Sequence, residues 1–388
     1  MAGIILKGIT WGHSRGITPL LAVSQRYMEL NPGVDIQWKK RSLQEFADLP
    51  IEKLSLEYDL LIIDHPWVGC ADATRCVLPL NNFLEVSYLR DQAANSVGAS
   101  HPSYEYNGSQ WALAIDAATP VASFRPDLLQ GNDHPLPHTW EEVISLARSG
   151  RVAVPAIPID LLMNFYTFCI AHGKAPFLQT DEVIDQETGL LALASMKELY
   201  SLVDKRFFNC NPIAVAELMS STNDYWYCPF AYAYSNYTRH GFAPHLLQYA
   251  NVAVFGKERL RTTIGGTGLA VSAFSKHKDA AVDFAARAVS GEWQRTLYVQ
   301  HGGQPGHLSA WLDEEANFIT HNFFRQCLPV MENGYLRPRY NGYLHFQDLG
   351  GNPVQQYLKG EMEAKTVLRQ LNELYRESLK TAHSKISV

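Results

Sequence analysis

With 388 residues, the chain is longer than a single hydrophobic core usually serves, so two lobes are expected. Hydrophobic residues make up 46% and charged residues 19% of the sequence, and the formal net charge of −6 leaves no basic excess to neutralise the phosphates of a nucleic acid. The charge therefore predicts no nucleic-acid partner. No apolar run approaches the roughly 18–20 residues that span a bilayer, so the sequence predicts no membrane insertion.

The N-terminus leaves no room for a secretory leader. Residues 1–3 lead directly into the apolar residues 4–6, whereas a leader has a basic start, a longer apolar stretch and a small-residue cleavage site. The sequence as given therefore predicts a cytoplasmic protein, unless a leader was removed. The cysteines have neither metal nor redox spacing, and they are expected to be reduced, mostly core residues: Cys70, Cys76, Cys169, Cys210, Cys228 and Cys327.

The first 65 residues predict alternating strands and helices. A helix is expected to begin with Thr18 as its N-cap and Pro19 in its first turn, and to end at residues 31–33, Asn-Pro-Gly. The strands are predicted over residues 4–9, 34–38 and 58–63, and a second helix over residues 43–54. Because the third strand is a continuous apolar run, the pattern indicates half of a doubly wound parallel sheet.

The later segments repeat this alternation. Thr139 and Glu142 form a capping-box pattern, which predicts a helix that ends near Gly150. The aromatic stretch over residues 225–237 predicts a strand that leads into a loop. The other strands are predicted over residues 111–115, 151–155 and 264–272, and the other helices over residues 190–202, 279–289 and 354–379.

Six segments, in this order, resemble the family 1 extracellular solute-binding proteins, the sugar-type receptors of ATP-driven importers. They are YDLLIIDHPWVGCADATRCVLPL (58–80), YNGSQWALAIDAATPVASFRPDLL (106–129), PHTWEEVISLA (137–147), IGGTGLAVSAFSKHKDAAVDFA (264–285), QHGGQPGHLSAW (300–311) and RPRYNGYLHFQ (337–347). The resemblance covers nearly the whole chain. It implies an α/β, two-lobed periplasmic-binding-protein-like (type II) fold with a ligand cleft between the lobes.

The resemblance also implies how the chain divides between the lobes. The N-terminal lobe is expected to comprise residues 1–115 and 253–302, and the C-terminal lobe residues 116–252 and 303–388, with crossings near 115–120, 248–253 and 300–306. Such a receptor is periplasmic, closes on a small-molecule ligand by a hinge motion, and delivers it to an ABC transporter permease. The ligand is expected to be polar and carbohydrate-like, and a monosaccharide, an oligosaccharide and a small organic acid all remain open.

Two turns are candidates for ligand binding, because ligands of doubly wound sheets bind beyond the carboxyl ends of the strands. Each turn carries an indole, a histidine and a charged side chain, which would stack on a sugar ring or hydrogen bond to hydroxyls or a carboxylate. The first turn contributes Trp11, His13 and Arg15, and the second contributes Asp64, His65 and Trp67. The alternative is that these residues hold the turns together, with Asp64 as a helix cap and Trp67 as a core residue.

Further candidates come from three other segments. The aromatic stretch contributes Tyr225, Trp226 and Tyr232, although about half of its rings are expected to pack in a core. The resemblance implies that this stretch and the glycine turn with Gly265 and Gly266 line the cleft. The glycine turn lacks the dinucleotide and P-loop patterns. Asp116 contacts the ligand or caps a turn.

Arg337 and Arg339 complete the set of candidate residues. They belong to a surface loop that is salt-bridged to the other lobe or, in the alternative interpretation, to an anion-binding clamp. The former is the preferred interpretation.

Catalysis is the rival function. His13, Asp64 and His65 would form an acid–base group if the two turns meet, which allows a cytoplasmic enzyme that has adapted the binding-protein fold. No nucleophile motif accompanies them, so no catalytic residue is assigned, and no metal or organic cofactor is implied. A cytoplasmic sensor or partner-binding module is a third possibility.

Overall fold

The computed structural model of the protein describes residues 3–42 and 50–384, with side chains up to residue 380. The chain forms two compact units. Unit 1 consists of Met1–Ala118, Ile264–Glu332 and Arg339–Asn341, and unit 2 of Thr119–Thr263, Asn333–Pro338 and Gly342–Val388. Each unit is therefore assembled from separate stretches of the sequence. No helix within the described ranges is long and apolar enough to cross a membrane.

The strands of the described residues are, in chain order, β1 (Ile4–Trp11), β2 (Val34–Arg41), β3 (Leu60–Ile63), β4 (Glu105–Tyr106), β5 (Ser109–Gln110), β6 (Leu113–Ala118), β7 (Pro120–Phe124), β8 (Tyr227–Tyr232), β9 (Gln248–Ala250), β10 (Val254–Phe255), β11 (Glu258–Arg259) and β12 (Gly265–Val271). The α-helices are α1 (Ser14–Leu30), α2 (Ile51–Leu54), α3 (Val68–Thr74), α4 (Val86–Ala94), α5 (Ser100–Ser103), α6 (Pro126–Gly131), α7 (Trp140–Arg148), α8 (Pro158–Ala171), α9 (Gln186–Tyr200), α10 (Pro212–Ser221), α11 (Lys278–Ala288), α12 (Gly291–Trp293), α13 (Leu308–Leu312), α14 (Glu314–Ile319), α15 (Phe323–Glu332), α16 (Tyr343–Lys359) and α17 (Ala364–Ser384). Short 3-10 helices cover His65–Trp67, Leu80–Asn82, Lys205–Asn209 and Ser235–Thr238, and a π-helix covers Gln294–Tyr298.

Unit 1 is built on a five-stranded sheet with the order β2-β1-β3-β12-β6. Strand β1 is parallel to β2 and β3, whereas β12 is antiparallel to both β3 and β6. Strand β6 therefore runs in the same direction as β3. The carboxyl ends of β1, β3 and β6 and the amino end of β12 lie at one edge of this sheet, which we call the carboxyl edge of unit 1.

The core of unit 1 explains why these apolar runs form strands and helices. All four residues of β3 are fully buried, as expected for a central strand covered on both faces. The apolar stripe of α1 packs against α11, where the rings of Tyr27 and Phe284 meet edge to face at 5.2 Å between centroids. Burial of each large side chain of this kind contributes roughly 1.5–3 kcal/mol to folding.

Unit 2 has a smaller, antiparallel sheet, in which β7 lies between β8 and β9. Helix α8 is buried along most of its length, because it packs between α9 and α16. The contact with α16 requires a glycine at position 351, since a Cβ atom there would lie 1.9 Å from the carbonyl oxygen of Pro158. Close approach of the two helices thus depends on a residue without a side chain.

Several predicted elements are confirmed, and their boundaries are shifted by a few residues. The capping box of α7 is present, with Thr139 Oγ1 accepting from Glu142 N at 3.3 Å and Glu142 Oε2 accepting from Thr139 N at 3.0 Å. Strand β1 continues to Trp11 and β2 to Arg41. The predicted helix over residues 43–54 lies mostly outside the described residues, and its last four residues form α2.

Three predictions of local structure are wrong. Helix α1 is capped by His13 rather than Thr18, because His13 Nδ1 accepts a hydrogen bond from Arg15 N at 3.0 Å. Residues 151–155 form only a single bridge, between Val152 and Tyr227, instead of a strand. The predicted C-terminal helix is two helices, α16 and α17, separated at Gly360, whose φ of 85° ends α16.

The two units also divide differently from the predicted lobes. The chain enters unit 2 after Ala118, within the predicted crossing, but it returns to unit 1 only after Thr263, beyond the predicted residues 248–253. Residues 300–306 lie inside unit 1 instead of marking a crossing. The reason is that α13 to α15 pack against other elements of unit 1. For example, Leu308 N donates a hydrogen bond to Asn95 O at 2.7 Å.

Candidate functional site

Most of the predicted ligand-binding residues lie at the carboxyl edge of unit 1. The register pairs Gly268 of β12 with Ile63 at the end of β3, so residues 265–267 extend beyond β3 at this edge. Residues 11–16 and 64–67 follow β1 and β3 there, and Asp116 lies near the end of β6. The topology of the sheet therefore assembles residues that are distant in sequence.

His13 begins α1 at this edge. Its Nδ1 atom accepts the backbone hydrogen bond of the helix cap, which fixes the ring orientation and makes Nδ1 an acceptor. Burial and the neighbouring positive charge of Arg15 lower the pKa of His13 to about 4. The imidazole is therefore neutral near pH 7. A neutral imidazole suits hydrogen bonding to hydroxyl groups better than binding of an anion.

Arg15 forms a buried ion pair with Asp116. Its Nε donates to Oδ2 of Asp116 at 2.9 Å and its Nη2 donates to Oδ1, so the contact is bidentate. The two residues are only 4% and 1% exposed. Burial raises the pKa of the Asp116 carboxyl, and the paired guanidinium opposes that rise. The structure thus gives Arg15 an acidic partner inside its own unit, and its contact with a ligand stays a prediction.

The turn after β3 is held together by its own polar residues. Asp64 caps the 3-10 helix by accepting from His65 N at 2.9 Å, and its side chain is 19% exposed. His65 is fully buried and its ring lies edge-on to Tyr104, at 6.4 Å between centroids. Trp67 is 8% exposed. Asp64 is thus the residue of this turn with a partly exposed polar group, and the capping role considered for it is confirmed.

Trp11 packs in the core of unit 1. It is 5% exposed and belongs to the same cluster as Leu6 and Leu20. Its indole covers Gly16, where a Cβ atom would lie 2.5 Å from the ring. This packing explains the glycine in the first turn of α1, and it gives the indole the structural role that was the alternative to ligand binding.

The backbone conformation of the glycine turn and a close backbone contact require a glycine at position 266. Gly266 has a φ of 99°, and a Cβ atom there would lie 2.3 Å from the carbonyl oxygen of Asp116. Gly265 and Gly266 are both partly exposed. The next residue, Thr267, was not predicted: its Oγ1 atom is buried and has no hydrogen-bond partner among the residues that the structure describes. A hydroxyl after two glycines carries no distinctive sequence signal.

Tyr225 and Trp226 lie at the opposite end of β8 from Tyr232. Tyr225 donates to Asp204 Oδ2 at 3.3 Å, and the Trp226 ring lies under the Arg151 guanidinium at 4.9 Å. Tyr232 shares a hydrogen bond of 2.8 Å with Thr263. At about 3.3 Å per residue, six residues of strand separate Trp226 from Tyr232 by roughly 20 Å. A contact of these three aromatic residues with one ligand stays a prediction, and a separation of this size would require an extended ligand such as an oligosaccharide.

The two arginines of the late loop bind within their own units. Arg339 donates to the carbonyl oxygens of Pro102 and Ser103, at the end of α5, and to that of Glu105. Arg337 donates to Gln347 Oε1 at 2.7 Å. These hydrogen bonds go to neutral groups of the same unit, and the salt bridge to the other lobe stays a prediction. Within the described part of the chain, no cluster of three or more metal-ligating side chains is found.

Comparisons with known proteins place the fold. No protein-family model matches the sequence, and no curated protein matches it either. Solved structures do match. A maltose-bound MalE3 of T. maritima has 16% identity and a TM-score of 0.85, over 97% of this chain and 100% of that chain. A ribitol-bound ABC transporter solute-binding protein of Agrobacterium radiobacter has 18% identity and a TM-score of 0.82, over 97% and 98%.

A third similar structure is an ABC transporter solute-binding protein of Thermotoga lettingae bound to α-D-tagatose. It has 15% identity and a TM-score of 0.79, over 96% of this chain and 100% of that chain. Similarity over nearly the full length of both chains, at identities this low, defines a shared fold. The predicted fold class is confirmed: the chain has the two-lobed, periplasmic-binding-protein-like α/β fold of these three structures.

Proposed function

We propose that the chain is a solute-binding protein that binds a small, polar, carbohydrate-like ligand as the receptor of an ABC-type importer. The observation that carries this proposal is the full-length similarity to receptors bound to maltose, ribitol and tagatose. Two of the three are described as solute-binding proteins of ABC transporters, which supports a permease as the partner. Because one fold serves many functions, the residues of the site must also support the proposed ligand.

The charges at the carboxyl edge of unit 1 favour an uncharged ligand. The positive charge of Arg15 is balanced by Asp116, and His13 is neutral near pH 7. Asp64 adds a partly exposed carboxylate to this edge. A carboxylate accepts hydrogen bonds from ligand hydroxyls and repels an anionic ligand. Among the open alternatives, a sugar or polyol therefore fits better than a small organic acid.

The proposal is tested by a ligand screen with the purified protein. Maltose, ribitol and D-tagatose, together with organic acids of similar size, are added and the unfolding midpoint is measured. A true ligand at 100-fold excess over its dissociation constant stabilises the protein by about 2.7 kcal/mol. We expect a shift with a sugar or polyol. No shift with any compound, or turnover of one of them, would refute the receptor function, and turnover would favour the enzyme alternative.

A pair of matched variants localises the site. Asp64→Asn keeps a side chain that caps the 3-10 helix but removes its charge. Asp185→Asn makes the same change in unit 2, where Asp185 caps α9 and accepts from Thr188 N at 3.1 Å. Loss of a charge-assisted hydrogen bond costs roughly 1.5–3 kcal/mol, so Asp64→Asn should weaken ligand binding about ten- to a hundredfold. Asp185→Asn should leave ligand binding unchanged, and equal effects of the two substitutions would contradict the assignment of Asp64 to the site.

A further inference from the structure

Residues 303–307, which we call the strap, lie along the end of β6 in unit 1. Ala117 N donates to Gln304 O at 2.9 Å, Gln304 Nε2 donates to Ala117 O at 3.1 Å, and Asp116 is bridged to Pro305. The approach is so close that a Cβ atom on Gly306 would lie 2.1 Å from the carbonyl oxygen of Ala114. The strap therefore holds the backbone of β6 on either side of Asp116.

Gln294 joins the strap to β6. It is fully buried, and its Nε2 donates to Ile115 O at 3.1 Å and to Ala288 O at 3.4 Å. Its Oε1 accepts from Gly306 N at 2.7 Å and from His307 N at 3.4 Å. A glutamine amide has two donor hydrogens and two acceptor lone pairs. One side chain thus uses its full hydrogen-bonding capacity to connect the residue before Asp116 with the strap.

The local backbone at Gln294 is unusual. Residues Gln294–Tyr298 form a π-helix, a conformation that occurs frequently at functional sites. The last residue, Tyr298, is 1% exposed, and a Cβ atom on Gly303 of the strap would lie 2.2 Å from its ring. Burial and the negative charge of Asp116 raise the pKa of Tyr298 well above its usual value. The π-helix therefore brings both Gln294 and Tyr298 to the region of the Arg15–Asp116 pair.

We propose that Gln294 is a positioning residue for ligand binding: it holds the end of β6 against the strap, and so places Asp116, and through it Arg15, at the carboxyl edge of unit 1. This inference rests on the proposed function, because it assumes that this edge binds the ligand. Polar binding groups must be held within about 0.5 Å of their productive positions by the residues that support them. Gln294 provides such support without touching the ligand.

The test replaces Gln294 by methionine, which has a similar length but no amide. The control is Val282→Ala, which removes buried methyl groups of α11 in the same unit but none of the hydrogen bonds that join Gln294, β6 and the strap. Both variants should have lower unfolding midpoints. We expect Gln294→Met to weaken binding of the ligand found for the wild type at least tenfold, whereas Val282→Ala should stay within twofold. Wild-type affinity in Gln294→Met would overturn the proposal.

A second variant separates positioning from a loss of packing. A protonated glutamate at position 294 would again provide one donor and one acceptor, whereas its ionised form would not. We therefore expect the affinity of Gln294→Glu, relative to wild type at the same pH, to recover as the pH is lowered. An affinity ratio that does not change with pH would contradict the role of these hydrogen bonds.

Hydrogen exchange distinguishes failure of this inference from failure of the proposed function. If no compound binds the wild type, the receptor function fails, but exchange of the Ala117 amide still reports whether Gln294 holds the strap on β6. We expect at least tenfold faster exchange in Gln294→Met than in Val282→Ala. Equal exchange in the two variants would overturn the positioning role, whatever the ligand screen shows.

Discussion

The Arg15–Asp116 pair is the most consequential residue-scale feature of the candidate site. Each side chain is buried, and each compensates the charge of the other through two hydrogen bonds. A buried ion pair adds little net stability compared with apolar residues of the same shape, but removal of one partner leaves an uncompensated charge in the interior. The pair is therefore expected to behave as a unit in mutagenesis.

Replacement of Arg15 by alanine should destabilise the protein by about 3–5 kcal/mol, because Asp116 would be left buried and unpaired. Urea unfolding of the unliganded protein measures this loss. The double variant Arg15→Met with Asp116→Leu should regain much of the stability. If Arg15→Ala instead unfolds like the wild type and only ligand binding is impaired, the pair is not a structural unit and Arg15 acts mainly on the ligand.

Asp160 gives a pH-dependent prediction. It is 6% exposed, its Oδ2 atom has no hydrogen-bond partner in the described part of the structure, and burial raises its pKa from 3.8 to about 8. The folded state therefore binds more protons than the unfolded state between about pH 4 and pH 8. Stability should fall across that window by up to about 1.4 kcal/mol per pH unit.

Asp160→Asn should remove the contribution of Asp160 to the pH dependence of stability, since the amide is neutral over the whole pH range. We expect the variant to lose less stability than the wild type as the pH rises from 5 to 8, with the difference largest at the alkaline end. Denaturant unfolding at pH 5, 6.5 and 8 measures both slopes. Parallel stability profiles for the two proteins would contradict the raised pKa.

At the scale of elements, α7 shows how a helix is specified by its first residues. The reciprocal hydrogen bonds between Thr139 and Glu142 satisfy backbone groups that have no partner inside the helix. Thr139→Ala should therefore cost about 1 kcal/mol of stability, measured by denaturant unfolding. Thr139→Ser retains the hydroxyl and serves as the control. If serine and alanine destabilise equally, the loss comes from the Thr139 methyl group rather than from the cap.

Strand β12 is a second feature at the scale of elements, because it completes the sheet of unit 1. It enters the sheet between β3 and β6, antiparallel to both, and is contributed by a segment that follows most of unit 2 in the sequence. Without β12, the backbone groups of β3 and β6 that face it would lose their hydrogen bonds, which is costly for buried strands. Unit 1 is therefore incomplete until the chain has returned from unit 2.

At the scale of the whole molecule, this interleaving predicts how fragments behave. A fragment of residues 1–118 should show no cooperative thermal unfolding by circular dichroism, because it lacks β12 and α11. The same fragment joined by a flexible linker to residues 264–341 contains every element of unit 1 and should unfold cooperatively. Cooperative unfolding of the short fragment would show that the returning segment is dispensable for unit 1.

The sequence by itself determined the features that depend on neighbouring residues. The cap of α7, the end of α1 at Asn31 and the buried strand β3 follow from short patterns, because their hydrogen bonds and side-chain directions are local. The family resemblance supplied the fold class, since six ordered segments constrain the topology together. The turns at the carboxyl edge were also predictable, because they follow strands that the sequence identifies.

Only the tertiary structure decided which of these residues meet. Arg15 and Asp116 are 101 positions apart, and nothing in either local sequence indicates that they pair. The same holds for the hydrogen bonds of Gln294 to β6 and to the strap, and for the separation of Trp226 from Tyr232 along β8. Such contacts depend on strand order and register, which are set by the packing of the whole unit. Local sequence therefore predicts the elements, whereas packing determines the site.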